Sequence, residues 1–222
     1  MSFVDVQPID SLEARYVLHE ATEETHHIQM FREFVKRTSV ETKGAPAWFR
    51  RLVPLLADYT GRKLPVTFWS AVLAGEEPVD HLQRSIRKNA HIPKLLDKIM
   101  EVHISEEARH ISFAHMYLER HVQPEKMTRA QRAMLAIALP LTLRSFASVM
   151  IKPDKRARKD MGIPKSVAKE LWFKSDAGKE NLQNMFPDAR KLADNIGMRD
   201  GEHKNKIGKL AWRVFGLDGP SA

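Results

Sequence analysis

Two short segments of the sequence set acids and imidazoles in the same order. The first contains Glu20, Glu23, Glu24, His26, His27 and Ile28; the second contains His103, Glu106, Glu107, Arg109, His110 and Ile111. Each holds a Glu-x-x-His, Glu24 with His27 and Glu107 with His110. On a helix that spacing puts a carboxylate and an imidazole side by side on one face. Carboxylate oxygens mixed with imidazole nitrogens are donors suited to iron or manganese, whereas zinc sites carry fewer ligands. One Glu-x-x-His is common on a solvated helix, so the inference rests on the two copies together.

Periodicity points both copies inward. The apolar stripe of the later segment runs Leu96, Met100, His103, Glu107, His110, Ala114, Tyr117, with the alternating steps of three and four that a core face requires. The earlier stripe runs Tyr16, Glu20, Glu24, His27, Phe31, Phe34. Glu23, His26, Glu106 and Arg109 fall off these stripes and are expected to be supporting or surface groups. A further acid comes from the stripe Trp69, Val72, Glu76, Val79, Gln83, Ile86, on which Glu76 is favoured over its neighbour Glu77. Burying one unpaired carboxylate costs several kcal/mol, so several together need cations. A pair of metal ions is the simplest compensation, and Glu-x-x-His on two helices with glutamates from two others is the ligand pattern of di-iron carboxylate bundles.

These residues must be carried by helices. Strand signals are scarce, with no alternating run bounded by hairpin turns. Asp10 with Glu13 reads as a capping start for a helix to about Thr38, followed by a break from Thr38 to Pro46. A short helix is expected near residues 48–59, bent by Pro54, and a turn from Gly61 to Pro65. The next helix spans about 66–88 with Pro78 inside it, where a proline kinks the chain. Pro93 opens a long helix to about His121, and Thr128 with Gln131 forms a capping box for a helix to about Ile151. Shorter helices near 165–174, 179–186 and 188–197 precede a tail. The expected fold is all-α: a ferritin-like helical bundle over residues 1–151, with a basic helical extension over 152–222 packed on it.

Composition narrows the functions. A chain of 222 residues can bury a sizeable core. With no cysteine, disulfides, iron–sulfur clusters and thiol catalysis are excluded, and a reducing, cytoplasmic location is expected. Ala133 to Leu143, the longest apolar stretch, is far short of the roughly 20 residues of a membrane span, so a buried core helix and no transmembrane segment are expected. The net charge of +8 collects after residue 151, most densely at Lys152, Lys155, Arg156, Arg158 and Lys159. Few aromatics interleave with these cations, so no nucleic-acid partner is expected.

The same residues resemble the di-iron N-oxygenase family typified by p-aminobenzoate N-oxygenase (AurF-type). The likeness lies in Glu24/His27, in Glu76, Glu77, Asp80, Gln83 and Arg84, and in His103/Glu107/His110 with the run Glu106 to His110. It covers roughly residues 10–150. The resemblance implies metal ligands at Glu24, His27, Glu76, His103, Glu107 and His110, two iron ions (or manganese), and O2 as co-substrate. It implies oxidation of a small substrate, an amine and most simply an aryl amine, driven by electrons from a separate reductase or ferredoxin-like donor, since no cysteine or nucleotide-binding glycine motif is present. A homodimer is an allowed assembly. The family has one more glutamate on a helix ahead of the first Glu-x-x-His, which this sequence is expected to lack, with Glu20 as a substitute. Two other readings remain open: a different di-iron oxidation, such as hydroxylation or desaturation, and a metal-binding bundle without catalysis.

Overall fold

A computed structural model describes residues 2–38, 44–88, 91–151, 155–201 and 205–219. Among them the chain is all-α with no strand, a ferritin-like bundle followed by further short helices. The long helices are α1 (Leu12–Arg37), α2 (Ala47–Lys63), α3 (Pro65–Arg87), α4 (Lys94–His121) and α5 (Arg129–Ile151). The shorter ones are α6 (Lys155–Asp160), α7 (Lys165–Lys169), α8 (Asp176–Asn184), α9 (Pro187–Asn195) and α10 (Lys206–Val214), with a π-helical turn at Glu170–Lys174. Helix α3 packs on α4 and α5, α1 lies on α4, α2 lies on α3, and α10 lies on α5.

Local chemistry explains most boundaries. Pro65 occupies the first turn of α3, where a missing N–H costs nothing. The Thr128 capping box forms as expected: the Thr128 N–H donates to Gln131 Oε1 at 2.9 Å, and the Gln131 N–H donates to Thr128 Oγ1 at 3.2 Å. At α1 the cap is Ser11 rather than Asp10. Ser11 has the extended backbone of an N-cap, and its Oγ accepts the Ala14 N–H at 3.1 Å, so Asp10 lies one residue outside the helix.

Two glycines play a part that their sequence neighbours do not reveal. Gly61 does not begin a turn; it lies inside α2 and is buried. A Cβ there would come within 3.1 Å of the Phe3 backbone nitrogen, so this glycine serves the close crossing of the amino-terminal segment. Phe3 then inserts against Trp69 and Tyr117 with ring centroids 5.4 and 5.6 Å apart. Likewise, the expected carboxy-terminal tail contains α10, whose Gly208 would clash through a Cβ only 2.0 Å from the Met198 carbonyl oxygen. Glycine discourages helix in a sequence reading, but here it admits backbone contact.

Helix α5 is buried on one face. Ala136, Leu139, Leu143 and Ala147 enter the core as a buried core helix should, while Met134, Ile137, Leu141 and Met150 are exposed on its other face. Residues Arg129–Met150 are long and apolar enough to cross a membrane by length and composition. The hydrophobic core is continuous from Phe3, Trp69 and Leu73 to Leu182, Leu192 and Trp212 of the carboxy-terminal helices and Leu217 just after α10. The break expected after Thr38 and the cation at Lys152 fall on residues outside those described.

Replacing Thr128 with Ala removes one half of the capping box. It should lower stability by about 1 kcal/mol, read as a reduced thermal midpoint, and adding Gln131→Ala should cost less than the sum of the two single changes.

Candidate metal centre

The two sequence repeats meet across the α1–α4 contact. His27, His103, Glu107 and His110 are buried, Glu107 and His110 completely. Glu107 sits between the three imidazoles. Its Oε1 faces His27 Nδ1 at 3.1 Å and His103 Nε2 at 3.3 Å, while its Oε2 faces His110 Nδ1 at 3.1 Å. Glu24 Oε1 lies 3.2 Å from His110 Nδ1 and 3.5 Å from His27 Nδ1. The donors form two overlapping groups, His27 with His103 and Glu107, and Glu24 with Glu107 and His110, each with ligand atoms within 4.8 Å of one another. Glu107 belongs to both.

Glu76 lies outside both groups but hydrogen-bonds Glu107. Glu77 is the more buried of the pair, yet it turns away to His115 and α9. The buried side of α3 is centred near Ser70, Ala74 and Glu77, about one residue round from the expected stripe, because α3 is contacted by α2, α4 and α5. Glu20 keeps a buried Oε2 with no hydrogen-bond partner, and neither metal-holding group includes it. Helix α5 contains no acid, so it offers no carboxylate to the cluster.

The residues off the stripes have a definite place. Glu106 Oε2 lies 2.7 Å from His27 Nε2, and Glu23 Oε2 lies 3.0 Å from His110 Nε2. The acid preceding each Glu-x-x-His therefore holds the imidazole of the other repeat from behind. Glu23 is also paired with Arg109 and faces His19 at 3.5 Å, whereas among the described residues no lysine or arginine pairs with Glu106. The sequence signal for this crossed support is the acid doublet Glu23-Glu24 matched by Glu106-Glu107.

A cation fits this cluster. Glu24 Oε1, His27 Nδ1, His103 Nδ1 and Glu107 Oε1 are buried without a hydrogen-bond partner, an arrangement that is costly for polar atoms left to themselves. The proton distribution reflects the same crowding. Burial and the neighbouring Glu107 push Glu76 well above the carboxylate range, so it is held neutral. Burial would raise Glu107 too, but hydrogen bonds from His110 and Glu76 and the nearby imidazoles draw it below that range. Burial opposes the charged form of His110, yet the carboxylates of Glu107, Glu24 and Glu23 around it carry it up to about 11. Burial lowers His103, and burial with the surrounding acids lifts Glu20 to about 7.

Comparison with known proteins points the same way. The family described as P-aminobenzoate N-oxygenase AurF matches residues 4–197. The chain belongs to the AurF family. Similar relatives include proteins described as uncharacterized from Mycobacterium tuberculosis and Mycobacterium bovis. Each is 40% identical over 223 residues, covering 99% of this chain and 62% of the relative. The chain thus spans 62% of the length of these curated relatives. No solved structure matches it.

Two outcomes follow for this AurF-family cluster. A divalent ion must displace the protons held on Glu76 and His110, so binding should release protons and be tighter at about pH 8 than at about pH 6; titration calorimetry in buffers of different ionisation enthalpy measures both effects. Glu106→Gln keeps an acceptor behind His27 but removes its charge, and should weaken metal binding roughly 10–100-fold in a chelator competition.

Proposed function

We propose that this protein is a di-iron oxygenase that uses O2 and external electrons to oxidise a small substrate, an amine and most simply an aryl amine. Membership of the AurF family gives the chemical class. The observation that carries the reading is Glu107, one oxygen turned to His27 and His103 and the other to His110, with two overlapping donor groups around it. Glu24, His27, Glu76, His103, Glu107 and His110 are the residues we assign to hold the two ions, iron or manganese. Bound iron would supply the reduction of O2 and the oxidation of the substrate.

The chain's own groups contribute the rest. Glu107 would be shared by the two positions, and the carboxylates of Glu106 and Glu23 keep the Nδ1 atoms of His27 and His110 turned inward. Burial raises the Glu76 carboxyl beside Glu107 well above the carboxylate range. The ring stack of Tyr16 on Phe113, with centroids 4.1 Å apart, and the contact of Phe113 with Trp69 close the cluster at one end and exclude water there. Phe31 packs edge-on to His103 at 5.1 Å at the other end. Glu24 is the most solvent-exposed of the assigned carboxylates on α1 and α4, so the cluster meets solvent on its side. With no cysteine to carry an iron–sulfur cluster, electrons come from a separate donor, a reductase or a ferredoxin-like protein. We place the bundle in residues 1–151 and the basic extension in 152–222.

A second reading, a metal-holding bundle without turnover, is favoured by one observation: α5 brings no carboxylate to the cluster. Both readings are tested first by elemental analysis of protein expressed with iron and again with manganese. About two ions per chain, lost together in His103→Ala and Glu107→Ala, is the expected result, and fewer than one ion would sink both metal readings. Amine-dependent O2 uptake with nitrogen-oxidised product then separates the oxygenase from the silent bundle. Oxidation at carbon alone would assign a hydroxylase or desaturase instead.

A further inference from the structure

Glu77 is a buried carboxylate that the metal centre leaves unused. It follows Glu76 directly, so the two side chains leave α3 about 100° apart. Glu76 reaches Glu107, while Glu77 is 6% exposed and reaches the opposite neighbours. Its Oε1 accepts from His115 Nε2 on α4 at 3.0 Å, and its Oε2 accepts the backbone N–H of Ala189 at 3.3 Å. Ala189 lies in the first turn of α9, where backbone N–H groups have no partner within their own helix. A carboxylate there is favoured by the helix dipole as well as by the hydrogen bond.

The next residue gives this contact its significance. Pro78 has no N–H, so the carbonyl of Ala74 loses its helical partner and α3 is weakened at the turn that carries Glu76. Both oxygens of Glu77 are bonded to two other helices at that same turn. A purely local cap of α9 could be supplied by any surface acid near its start. This one instead comes from the residue between Glu76 and the proline, and it draws in His115 of α4, the helix that bears His103, Glu107 and His110.

We propose that Glu77 is a positioning residue that clamps the Pro78 turn of α3 to α4 and α9, so that Glu76 is held at the metal centre and metal loading and α9 docking reinforce each other. This rests on the di-metal reading given above. The carboxy-terminal extension thereby gains a role, with α9 as an outer brace of the centre. Coupling between two sites is reciprocal, so whatever factor α9 docking contributes to metal affinity, metal must return to α9.

The test is hydrogen–deuterium exchange over residues 186–195 of the protein, with and without Mn(II) as a redox-stable probe. In the wild type, bound Mn(II) is expected to slow exchange at the start of α9, the Ala189 amide included. Glu77→Ala is expected to abolish that metal-dependent slowing and to weaken Mn(II) binding roughly tenfold or more, within the range seen when groups supporting a ligand are removed. Glu77→Gln, which still offers an oxygen to the Ala189 N–H, should restore part of both. Exchange over α9 that is the same with and without bound Mn(II) overturns the proposal, and this arm needs no variant to fold. So does a Glu77→Ala protein with a fast-exchanging α9 and wild-type Mn(II) affinity. A wild type that binds no Mn(II) and no iron fails the di-metal reading itself, a different result from metal bound without coupling.

Discussion

The structure depends on compensating charge at the centre of a helical bundle. Glu20, Glu24, Glu76 and Glu107 converge with three imidazoles where α1, α3 and α4 approach, and much of this cluster is removed from water. Carboxylates in such surroundings cannot all stay ionised without cations. Burial raises Glu76 well above the carboxylate range, and the carboxylates around His110 raise that imidazole to about 11. The same groups, stripped of their protons, are a donor set for divalent metal. The register of α1 on α4 follows from this constraint, because a slip of one residue would carry Glu24 and His27 away from Glu107.

The internal repeat shapes how that register is kept. Each Glu-x-x-His is preceded by an acid that reaches across to the other repeat's histidine, Glu106 to His27 and Glu23 to His110. The two helices thus hold each other's ligands rather than their own. The support is unequal, since Arg109 and His19 share the charge of Glu23 and no lysine or arginine among the described residues does so for Glu106. His27 also has His103 beside it, with ring centroids 4.4 Å apart, while His110 stands with two carboxylates. One end of the cluster is therefore richer in imidazole and the other richer in carboxylate. Two ions placed there would sit in different fields.

Around this centre the packing is aromatic and continuous. Phe3, Trp69, Phe113 and Tyr117 fill the space beyond the cluster, and the same core runs on to Trp212 of α10 and Leu217 just after it. Arg190 is buried among these helices and donates to the carbonyl oxygens of Gln183 and Leu217, tying the end of α8 to the segment after α10. The carboxy-terminal helices are joined to α3 and α4 by the shared apolar core and by the bond from the Ala189 N–H to Glu77.

What the sequence determined by itself was the chemistry and its carriers. The spacing of Glu24 to His27 and of His103, Glu107 and His110, set on apolar stripes of helical period, is local information, and so are the Thr128 capping box and the helices on either side of it. Tertiary structure decided what spacing cannot express. Gly61 reads as the start of a turn and Gly208 lies in an expected tail, yet both sit in helices with another backbone segment laid against them. Glu76 and Glu77 are neighbours in sequence, and only the positions of α4 and α9 send one to Glu107 and the other to His115 and Ala189. Glu23 and Glu106 read as either supporting or surface groups, and the face-to-face packing of α1 and α4 makes them supports. Helical periodicity tells which way a side chain leaves its own helix; which group it meets depends on how the helices pack.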